Sequence, residues 1–248
     1  MKYLGGKQKI GKQISEIINK YYLDYDKPIN GYIEPFCGAL GVTEYLVEKI
    51  DLKITASDIN PSLILLWNGL KNDTFTIPKK LSKKKWLKLK NQKEESALKA
   101  FAGFGCSFGG VYFSGYADDY FKKRNLRTDI KKRNSALETS KRLNKIKNKI
   151  NNITFKCTSY DSYRPKNKII YCDPPYRNTK QTVYSKYKFD SDKFWNIMRK
   201  WSKDNLVIIS EQSAPRDFKC IWTKEVKRMG DKYGKDKKTN TDKLYILK

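Results

Sequence analysis

An acidic residue, two prolines and a tyrosine come directly after a short apolar run in the last third of the chain. The run spans 169–172, and the tetrapeptide is Asp173-Pro-Pro-Tyr176. The apolar run predicts a buried strand, and open α/β sheets bind ligands outside the carboxyl ends of their strands. Both prolines restrict the backbone, so the chain leaves the strand in one stiff conformation. We therefore expect Asp173 at the mouth of a site, beside an aromatic ring that suits a flat, hydrogen-bonding substrate such as a nucleobase.

Taken alone, this tetrapeptide is more typical of a rigid turn in which Asp173 caps a strand end, so other segments must decide. The first is a glycine turn, Cys37-Gly-Ala-Leu-Gly41, between a predicted strand at 31–36 and a predicted helix. Strand, glycine turn and helix form the opening unit of a nucleotide-type α/β fold. The turn departs from G-x-G-x-x-G, which disfavours a dinucleotide, and Glu34 and Phe36 beside it favour a cationic ligand without phosphate.

A second acid, Asp58, follows the next predicted strand at 52–56. In nucleotide-type folds an acid about 20 residues after the glycine turn binds ribose hydroxyls, and we favour this role over a plain turn aspartate. Asn60 and Pro61 then predict the N-cap and first residue of a helix.

The segment Lys2-Tyr-Leu-Gly-Gly-Lys7 precedes a helix with one apolar face. Its Gly-Gly-Lys can receive an anion or a carboxylate at the helix N-terminus. The spacing differs from that of a phosphate-binding P-loop, which disfavours nucleoside triphosphate hydrolysis.

Composition narrows the class of protein. Lys and Arg exceed Asp and Glu by 53 − 26 = 27 charges, which indicates a polyanionic partner. The chain has no histidine, so the commonest general base and histidine-ligated metal sites are excluded. Its five scattered cysteines predict reduced thiols, and no stretch resembles a signal peptide or a membrane span. We expect a cytoplasmic protein without a metal.

Residues 71–149 interrupt the alternation of strands and helices. This lysine-rich stretch predicts helices and irregular backbone, with a glycine- and aromatic-rich structured loop region at 103–116. Many of its lysines fit a solvated surface, whereas Arg124 and Arg127 are candidates for contacts to phosphates or base edges. Ser135 and Glu138 match an S-x-x-E capping box at the start of a helix.

The alternation resumes near residue 150, with predicted strands at 153–158, 168–172, 206–210, 220–226 and 244–247. The predicted fold is a Rossmann-like α/β sheet with helices on both faces. We divide the chain into a catalytic domain, 1–70 and 150–248, and an inserted target-recognition region, 71–149.

Four segments in this order resemble the Dam-type DNA adenine-N6 methyltransferases: Tyr3 to Lys7, Glu34 to Gly38, Asp58 to Asn60, and Asp173 to Tyr176. The glycine-rich stretch of the insert resembles that of phage or viral members. The resemblance implies transfer of a methyl group from S-adenosylmethionine to N6 of a flipped adenine in double-stranded DNA, with S-adenosylhomocysteine as product. One position departs from the family pattern, because Leu40 stands where a glycine is usual.

The resemblance also implies roles for single residues. Tyr3, Lys7, Asp58 and Asp173 match positions that contact S-adenosylmethionine. Phe36 and Gly38 match residues that shape its methionine end, with Glu34 beside them, and Asp161 matches one near its adenine. Lys2 matches a lysine that helps to read DNA.

The tetrapeptide has the chemistry for methylating an exocyclic amine. The Asp173 carboxylate and the Pro174 carbonyl can accept both amino protons, which favours a more nucleophilic, sp³-like nitrogen. Tyr176 can stack on a base that has left the duplex. Cytosine-C5 methylation needs a thiolate, and Cys172 precedes the acid on the buried strand, so that reaction is excluded.

Two alternatives stay open: an RNA or protein amino-methyltransferase with the same tetrapeptide, and a catalytically inactive DNA-binding homologue. The basic insert favours duplex recognition over the first, and the intact Asp58, Asp173 and Tyr176 disfavour the second. Sequence alone leaves open the recognition site, a restriction partner, and the choice between a monomer and a weak dimer on DNA.

Overall fold

The computed structural model describes residues 1–118, 134–176, 189–227 and 239–248. Within these residues one seven-stranded sheet has the strand order β3-β2-β1-β4-β5-β7-β6. The strands are β1 (Tyr32–Glu34), β2 (Ile54–Asp58), β3 (Ile153–Cys157), β4 (Ile169–Cys172), β5 (Leu206–Glu211), β6 (Phe218–Lys227) and β7 (Thr239–Leu247). The first five in the spatial order are parallel, and β7 is antiparallel to both β5 and β6. This architecture is the α/β sheet that the sequence predicts.

Helices connect these strands and build the insert. They are α1 (Gly11–Leu23), α2 (Thr43–Leu46), α3 (Pro61–Lys71), α4 (Lys83–Asn91), α5 (Ala97–Ala100), α6 (Ser135–Lys147) and α7 (Ser191–Trp201). A π-helical segment at Phe101–Gly105 and 3₁₀ turns at Phe108–Gly110 and Tyr160–Ser162 complete the described elements. In the described part of the chain, no helix is both long and apolar enough to cross a membrane.

Both faces of the sheet are covered by helices, as β4 demonstrates. Successive side chains of a strand point to opposite faces. Ile169 and Tyr171 join a hydrophobic cluster that includes residues of α1 and α3, whereas Ile170 and Cys172 join a second cluster built around α7. Every residue of β4 is therefore buried, as expected for a parallel strand with helices on both sides.

Two helix starts test the capping predictions. The Asn60 side chain accepts the Leu63 N–H at 3.0 Å and Pro61 is the first residue of α3, so that prediction is confirmed. The predicted capping box at Ser135 is wrong. Asn134 stands one residue earlier and accepts the Leu137 N–H at 2.9 Å, which makes it the N-cap of α6. Asparagine caps a helix as well as serine does, and here it comes first in the chain.

The described part of the insert packs around Trp86 on α4. Its indole N–H lies 3.1 Å from the Ala102 carbonyl and 3.1 Å from the Ser107 hydroxyl, and its ring lies 5.2 Å from the Phe113 ring. The hydrophobic cluster of the insert is continuous with that of α3 and the sheet. The predicted division at residues 71 and 149 stays a prediction.

The spatial order of the strands fixes where a ligand can bind. β1 pairs with β2 on one side and with β4 on the other, so the order of the sheet reverses between β1 and β4. Ligands of such sheets bind in the crevice outside the carboxyl ends at this point. The glycine turn that follows β1 and the tetrapeptide that follows β4 therefore lie at the same edge.

Candidate active site

The Lys7 ammonium lies at the centre of a buried polar cluster at this edge. Its Nζ is 3.1 Å from Oδ1 of Asp173, 3.1 Å from Oδ1 of Asp242 and 2.5 Å from the Tyr176 hydroxyl. Nζ also lies 4.6 Å from the centre of the Tyr176 ring, within the range of a cation–π interaction. Only 7% of the Lys7 side chain is exposed. The structure thus joins the N-terminal motif to the tetrapeptide after β4.

The backbone at Lys7 is held by α1 and by the glycine turn. The Lys7 carbonyl accepts the N–H groups of Ile10 at 3.0 Å and Gly11 at 2.6 Å, at the start of α1. A Cβ atom on Gly41 would lie 3.0 Å from the Lys7 backbone nitrogen, so the turn after β1 packs directly on this segment. Lys7 therefore projects its side chain from a fixed backbone towards the end of β4.

The cluster sets the charge states of its members. Burial alone would lower the pKa of Lys7, but the negative charges of Asp173 and Asp242 and the contact with Tyr176 outweigh it and raise that pKa, so Lys7 stays charged. Burial raises the pKa of Asp173 to about 6, against the opposing effect of Lys7, and the like charge of Asp242 raises it further. Asp173 is therefore ionised at neutral pH but titrates close to it.

The Tyr176 hydroxyl is held at three points. It donates to Oδ1 of Asp242 at 2.8 Å, receives a hydrogen bond from Lys7, and shares one with the Ser210 hydroxyl at 3.0 Å. Burial, with the charge of Asp173, raises the pKa of Tyr176 far above its usual value, so the phenol stays protonated. These contacts fix the position of the hydroxyl end of the ring.

Asp58 ties the glycine turn to the end of β2. Its Oδ2 accepts the Gly38 N–H at 3.1 Å and its Oδ1 accepts the Asn60 N–H at 2.9 Å. The Trp67 indole holds the other side of Gly38, donating to its carbonyl at 3.0 Å. Burial raises the pKa of Asp58 to about 6, although the backbone donors oppose the shift. A carboxylate can accept about four hydrogen bonds, so Asp58 keeps acceptor capacity for a hydroxyl.

Leu40, which departs from the family pattern, adopts a backbone conformation that glycine favours. Its φ is +56°, in the left-handed region, and its side chain is fully buried in the core. The left-handed conformation costs a non-glycine residue roughly 1–2 kcal/mol. Burial of a leucine side chain contributes about 1.5–3 kcal/mol, which offsets that cost.

Glu34 lies beneath the turn rather than at its surface. It is 2% exposed, and its Oε2 accepts hydrogen bonds from the Tyr32 hydroxyl at 3.0 Å and from the Thr43 hydroxyl. Burial raises its pKa to about 8, against the effect of both donors. The carboxyl group is therefore mainly protonated at neutral pH and joins β1 to α2. Its predicted contact with a cofactor stays a prediction.

Aromatic rings form a wall near the carboxyl ends of β1 and β3. The Phe36 ring lies 5.2 Å from Tyr160, 6.0 Å from Phe194 and 6.1 Å from Phe189, measured between ring centres. These rings come from the segment after β1, the 3₁₀ turn after β3 and the region of α7. Such a wall suits the flat face of an adenine ring.

Asp161 stands beside this wall, in the 3₁₀ turn after β3. Its Oδ2 lies 2.6 Å from the Lys193 Nζ, and the hydrogen bond from Lys193 holds the pKa of Asp161 below its usual value. The side chain is 28% exposed, so Asp161 remains accessible from solvent.

Tyr3 lies between the glycine turn and the insert. Its ring centre is 4.8 Å from that of Phe104, and a Cβ atom on Gly38, whose φ is +45°, would lie 2.9 Å from the Tyr3 ring. Gly110 of the insert, with φ +71°, approaches the Tyr3 backbone closely, since a Cβ atom there would lie 2.5 Å from the Tyr3 nitrogen. Both glycines are required by these approaches.

Lys2, one of the three predicted DNA contacts, lies next to the insert. Its Nζ is 3.5 Å from Oε2 of Glu138 on α6, and both side chains are 47% exposed. The other two predicted DNA contacts, Arg124 and Arg127, lie outside the described residues.

Two members of the central cluster are absent from the sequence predictions. The sequence does not point to Asp242, because it predicts that the last strand begins at 244, whereas β7 begins at Thr239. The sequence predicts Ser210 only as the end of a buried strand. A polar residue at the carboxyl end of an otherwise apolar strand is the one signal that points to it.

The sheet order, the glycine turn after β1 and the acid at the end of β2 define a nucleotide-type α/β fold that binds its ligand at the carboxyl edge of the sheet. The family model of the D12 class N6 adenine-specific DNA methyltransferases matches residues 3–101 and 110–232. The chain belongs to this family. The predicted adenine-specific methylation of DNA, with S-adenosylmethionine as methyl donor, is thereby confirmed.

Known proteins similar to the chain include a type II methyltransferase, M.MjaIII, from Methanocaldococcus jannaschii. The two sequences are 24% identical over an alignment of 262 positions, and the alignment covers 88% of this chain and 85% of that protein. Among solved structures, magnesium protoporphyrin IX methyltransferase (ChlM) from Synechocystis PCC 6803 with bound SAM matches at a TM-score of 0.39 and 10% identity, over 98% of this chain and 82% of that one. SMU.472, a putative methyltransferase complexed with SAH, matches at a TM-score of 0.37 and 7% identity, over 98% and 55% respectively.

Proposed function

We propose that the chain methylates N6 of an adenine that has left the stack of double-stranded DNA, with Asp173, Pro174 and Tyr176 as the catalytic residues. The observation that carries this proposal is the buried contact between Lys7 and Oδ1 of Asp173. Because Lys7 engages Oδ1, the carboxylate is held in one orientation and Oδ2 can accept a hydrogen bond from a substrate. The Pro174 carbonyl follows directly in the chain and supplies the second acceptor.

These two acceptors activate the exocyclic amine. An amine that donates both protons to Asp173 and Pro174 has its lone pair directed away from them and out of conjugation with the ring. S-adenosylmethionine supplies a methyl group on a sulfonium that is already activated for transfer, and S-adenosylhomocysteine is the product. As the new N–C bond forms, one amino proton leaves, and Asp173, whose pKa is raised to about 6, can take it and pass it to solvent.

Tyr176 provides the surface on which the extruded base stacks. Its hydroxyl is bound by Lys7, Asp242 and Ser210, so the side chain cannot swing out of the site. Stacking of a base on an aromatic side chain contributes about 1–3 kcal/mol, which helps to compensate for unstacking the base from its duplex.

The residues at the carboxyl edge fit S-adenosylmethionine chemically. The spare acceptor positions of Asp58 suit ribose hydroxyls, and the aromatic wall at Phe36 suits the adenine ring, with Asp161 beside it. We assign the turn at Gly38, together with Tyr3, Lys7 and Glu34, to the methionine end. This assignment keeps Gly38 at the methionine end, as the sequence resemblance implies, but moves Phe36 from that end to the adenine ring.

We assign recognition of double-stranded DNA to the insert. The excess of 27 positive charges supplies the sequence-independent attraction to phosphates. Lys2, Arg124 and Arg127 are the proposed contacts to DNA. Lys2 lies beside α6 of the insert, and its neighbour Tyr3 packs against the cofactor turn, so DNA contacts and cofactor contacts share one segment.

The experiment that tests this function supplies methyl-labelled S-adenosylmethionine together with unmethylated duplex DNA, single-stranded DNA, total RNA or cell protein. We expect label in duplex DNA as N6-methyladenine and much less in the other three. Asp173→Ala is expected to remove the label, whereas Asp51→Ala is the matched control. Asp51 is exposed and precedes β2, at the opposite edge of the sheet. Label confined to RNA or protein would contradict the proposal.

A further inference from the structure

Asp242 reaches the carboxyl edge of the sheet because β7 is inserted antiparallel beside β5. Ser210 pairs with Leu244, and Glu211, the last residue of β5, pairs with Lys243. Asp242 comes one residue earlier on β7 and overhangs the edge. Residues two apart on a strand share a face, so Asp242 lies on the face of Leu244 and of its partner Ser210. This is the face that the Tyr176 hydroxyl contacts.

One oxygen of Asp242 serves two partners of the tetrapeptide cluster. Its Oδ1 accepts the Tyr176 hydroxyl at 2.8 Å and lies 3.1 Å from the Lys7 ammonium. The same ammonium is 3.1 Å from Asp173. The side chains of Lys7, Asp173 and Asp242 are at most 16% exposed, so these charges interact with little screening by water. Two carboxylates therefore share one ammonium.

We infer that Asp242 is a positioning residue for the methyl transfer, which fixes the ring of Tyr176 and shares Lys7 with Asp173. The inference rests on the proposed roles of Asp173 and Tyr176. A tyrosine anchored at its hydroxyl end keeps the long axis of its ring in place, so the ring keeps its distance from the two acceptors. A misplacement of about 1 Å at a reacting centre can cost about 100-fold in rate, which makes such an anchor effective.

Sharing of Lys7 also determines the basicity of Asp173. If Asp242 loses its charge, Lys7 interacts with Asp173 alone and the like charge that opposes ionisation of Asp173 disappears. Both changes stabilise the carboxylate form and lower the pKa of Asp173. The acid limb of the pH–rate profile then moves to lower pH. A residue that only braces the hairpin of β6 and β7 would leave this limb in place.

Asp242→Asn separates the two roles, because the amide keeps an acceptor of nearly the same shape and removes only the charge. Its acid limb is expected to shift to lower pH, with a decrease in kcat. Asp242→Ala removes the anchor as well, and we expect kcat to fall about 10- to 100-fold with the KM for S-adenosylmethionine changed less than about threefold. Glu225→Gln is the matched control, since Glu225 is exposed on the same hairpin and loses the same charge.

Tyr176→Phe provides a second test that leaves Asp242 itself unchanged. The variant keeps the ring and removes the hydroxyl through which Asp242 acts. We expect its kcat to fall, and the double variant Tyr176→Phe/Asp242→Ala to lose less than the product of the two single losses. A wild-type kcat for Tyr176→Phe would overturn the anchoring role.

The outcomes distinguish this inference from the proposed function. Wild-type protein that fails to methylate duplex DNA would overturn the proposed function, and with it the role of Asp242. Active wild-type protein, together with an Asp242→Asn variant that matches Glu225→Gln in kcat and in its acid limb, would overturn the inference alone.

Discussion

Lys7 and Asp173 meet at 3.1 Å, between Nζ and Oδ1, although one precedes the first helix and the other follows the fourth strand. Lys7 opposes the rise that burial causes in the pKa of Asp173. We predict that Lys7→Gln raises this pKa above about 6, because two nearby carboxylates then lose their common counter-charge. The acid limb of kcat against pH should move to higher pH, opposite to the shift in Asp242→Asn.

A pH–rate profile for each variant checks this pair of opposite shifts. Lys9→Gln serves as the control for Lys7→Gln, since Lys9 is exposed and two residues away. Equal acid limbs in wild type and Lys7→Gln would contradict the electrostatic coupling of Lys7 to Asp173.

Asp58 holds the glycine turn and is proposed to bind ribose hydroxyls, so its replacement should act on cofactor affinity. In Asp58→Asn, one backbone N–H, of Gly38 or of Asn60, faces the amide N–H₂ group instead of an oxygen. We predict a dissociation constant for S-adenosylmethionine at least about 10-fold higher, equivalent to about 1.4 kcal/mol. Calorimetric titration without DNA measures it. Unchanged affinity would exclude Asp58 from the cofactor site.

Leu40 combines a left-handed backbone with a buried side chain, and stability can separate the two. Leu40→Ala should cost about 2–5 kcal/mol of unfolding free energy through loss of packing. Leu40→Gly removes one more carbon but relieves the backbone by roughly 1–2 kcal/mol, so it should be at least as stable as Leu40→Ala.

Leu46 is the control, since it is also fully buried but lies on the helix α2. We expect Leu46→Gly to be about 1 kcal/mol less stable than Leu46→Ala. Urea denaturation of the four variants measures the difference. A larger loss for glycine than for alanine at position 40 would show that the backbone there is not strained.

Recognition of DNA is predicted to depend on Arg124 and Arg127. Loss of a phosphate contact should lower the affinity for all duplexes and reduce the slope of log K against log salt by about 0.9. Loss of a base contact should instead relax sequence choice at one position, at a cost of about 1–3 kcal/mol. Titrations at several salt concentrations distinguish the two cases. Lys27→Ala is the control, because Lys27 is exposed and precedes β1, at the amino edge of the sheet.

Local patterns were sufficient to predict most of the sheet. β4 is buried on both faces, so it appears in the sequence as an uninterrupted apolar run, and the start of α3 follows from Asn60 and Pro61. The four motifs lie at the carboxyl ends of neighbouring strands or at the start of α1, which is why their order along the chain sufficed to predict one site.

A local sequence pattern cannot predict contacts that depend on the order of the strands in the sheet. Asp242 joins the cluster only because β7 inserts between β5 and β6, a pairing that no local periodicity specifies. The residues at 239–243 are all polar, and apolar alternation begins only at Leu244. The sequence therefore predicts only the second half of β7. The sequence pattern also does not predict the burial of Glu34, because this burial depends on hydroxyl partners on β1 and α2.

The most direct test of the account is a single-turnover measurement with Asp173→Ala. Protein in excess is first bound to unmethylated duplex DNA, then S-adenosylmethionine is added and N6-methyladenine is followed with time. The account predicts a transfer rate at least about 100-fold below wild type, because a misplaced amine alone costs this much, with affinity for DNA unchanged. Transfer at the wild-type rate in Asp173→Ala would contradict the assignment of Asp173 as the acceptor of the adenine amino group.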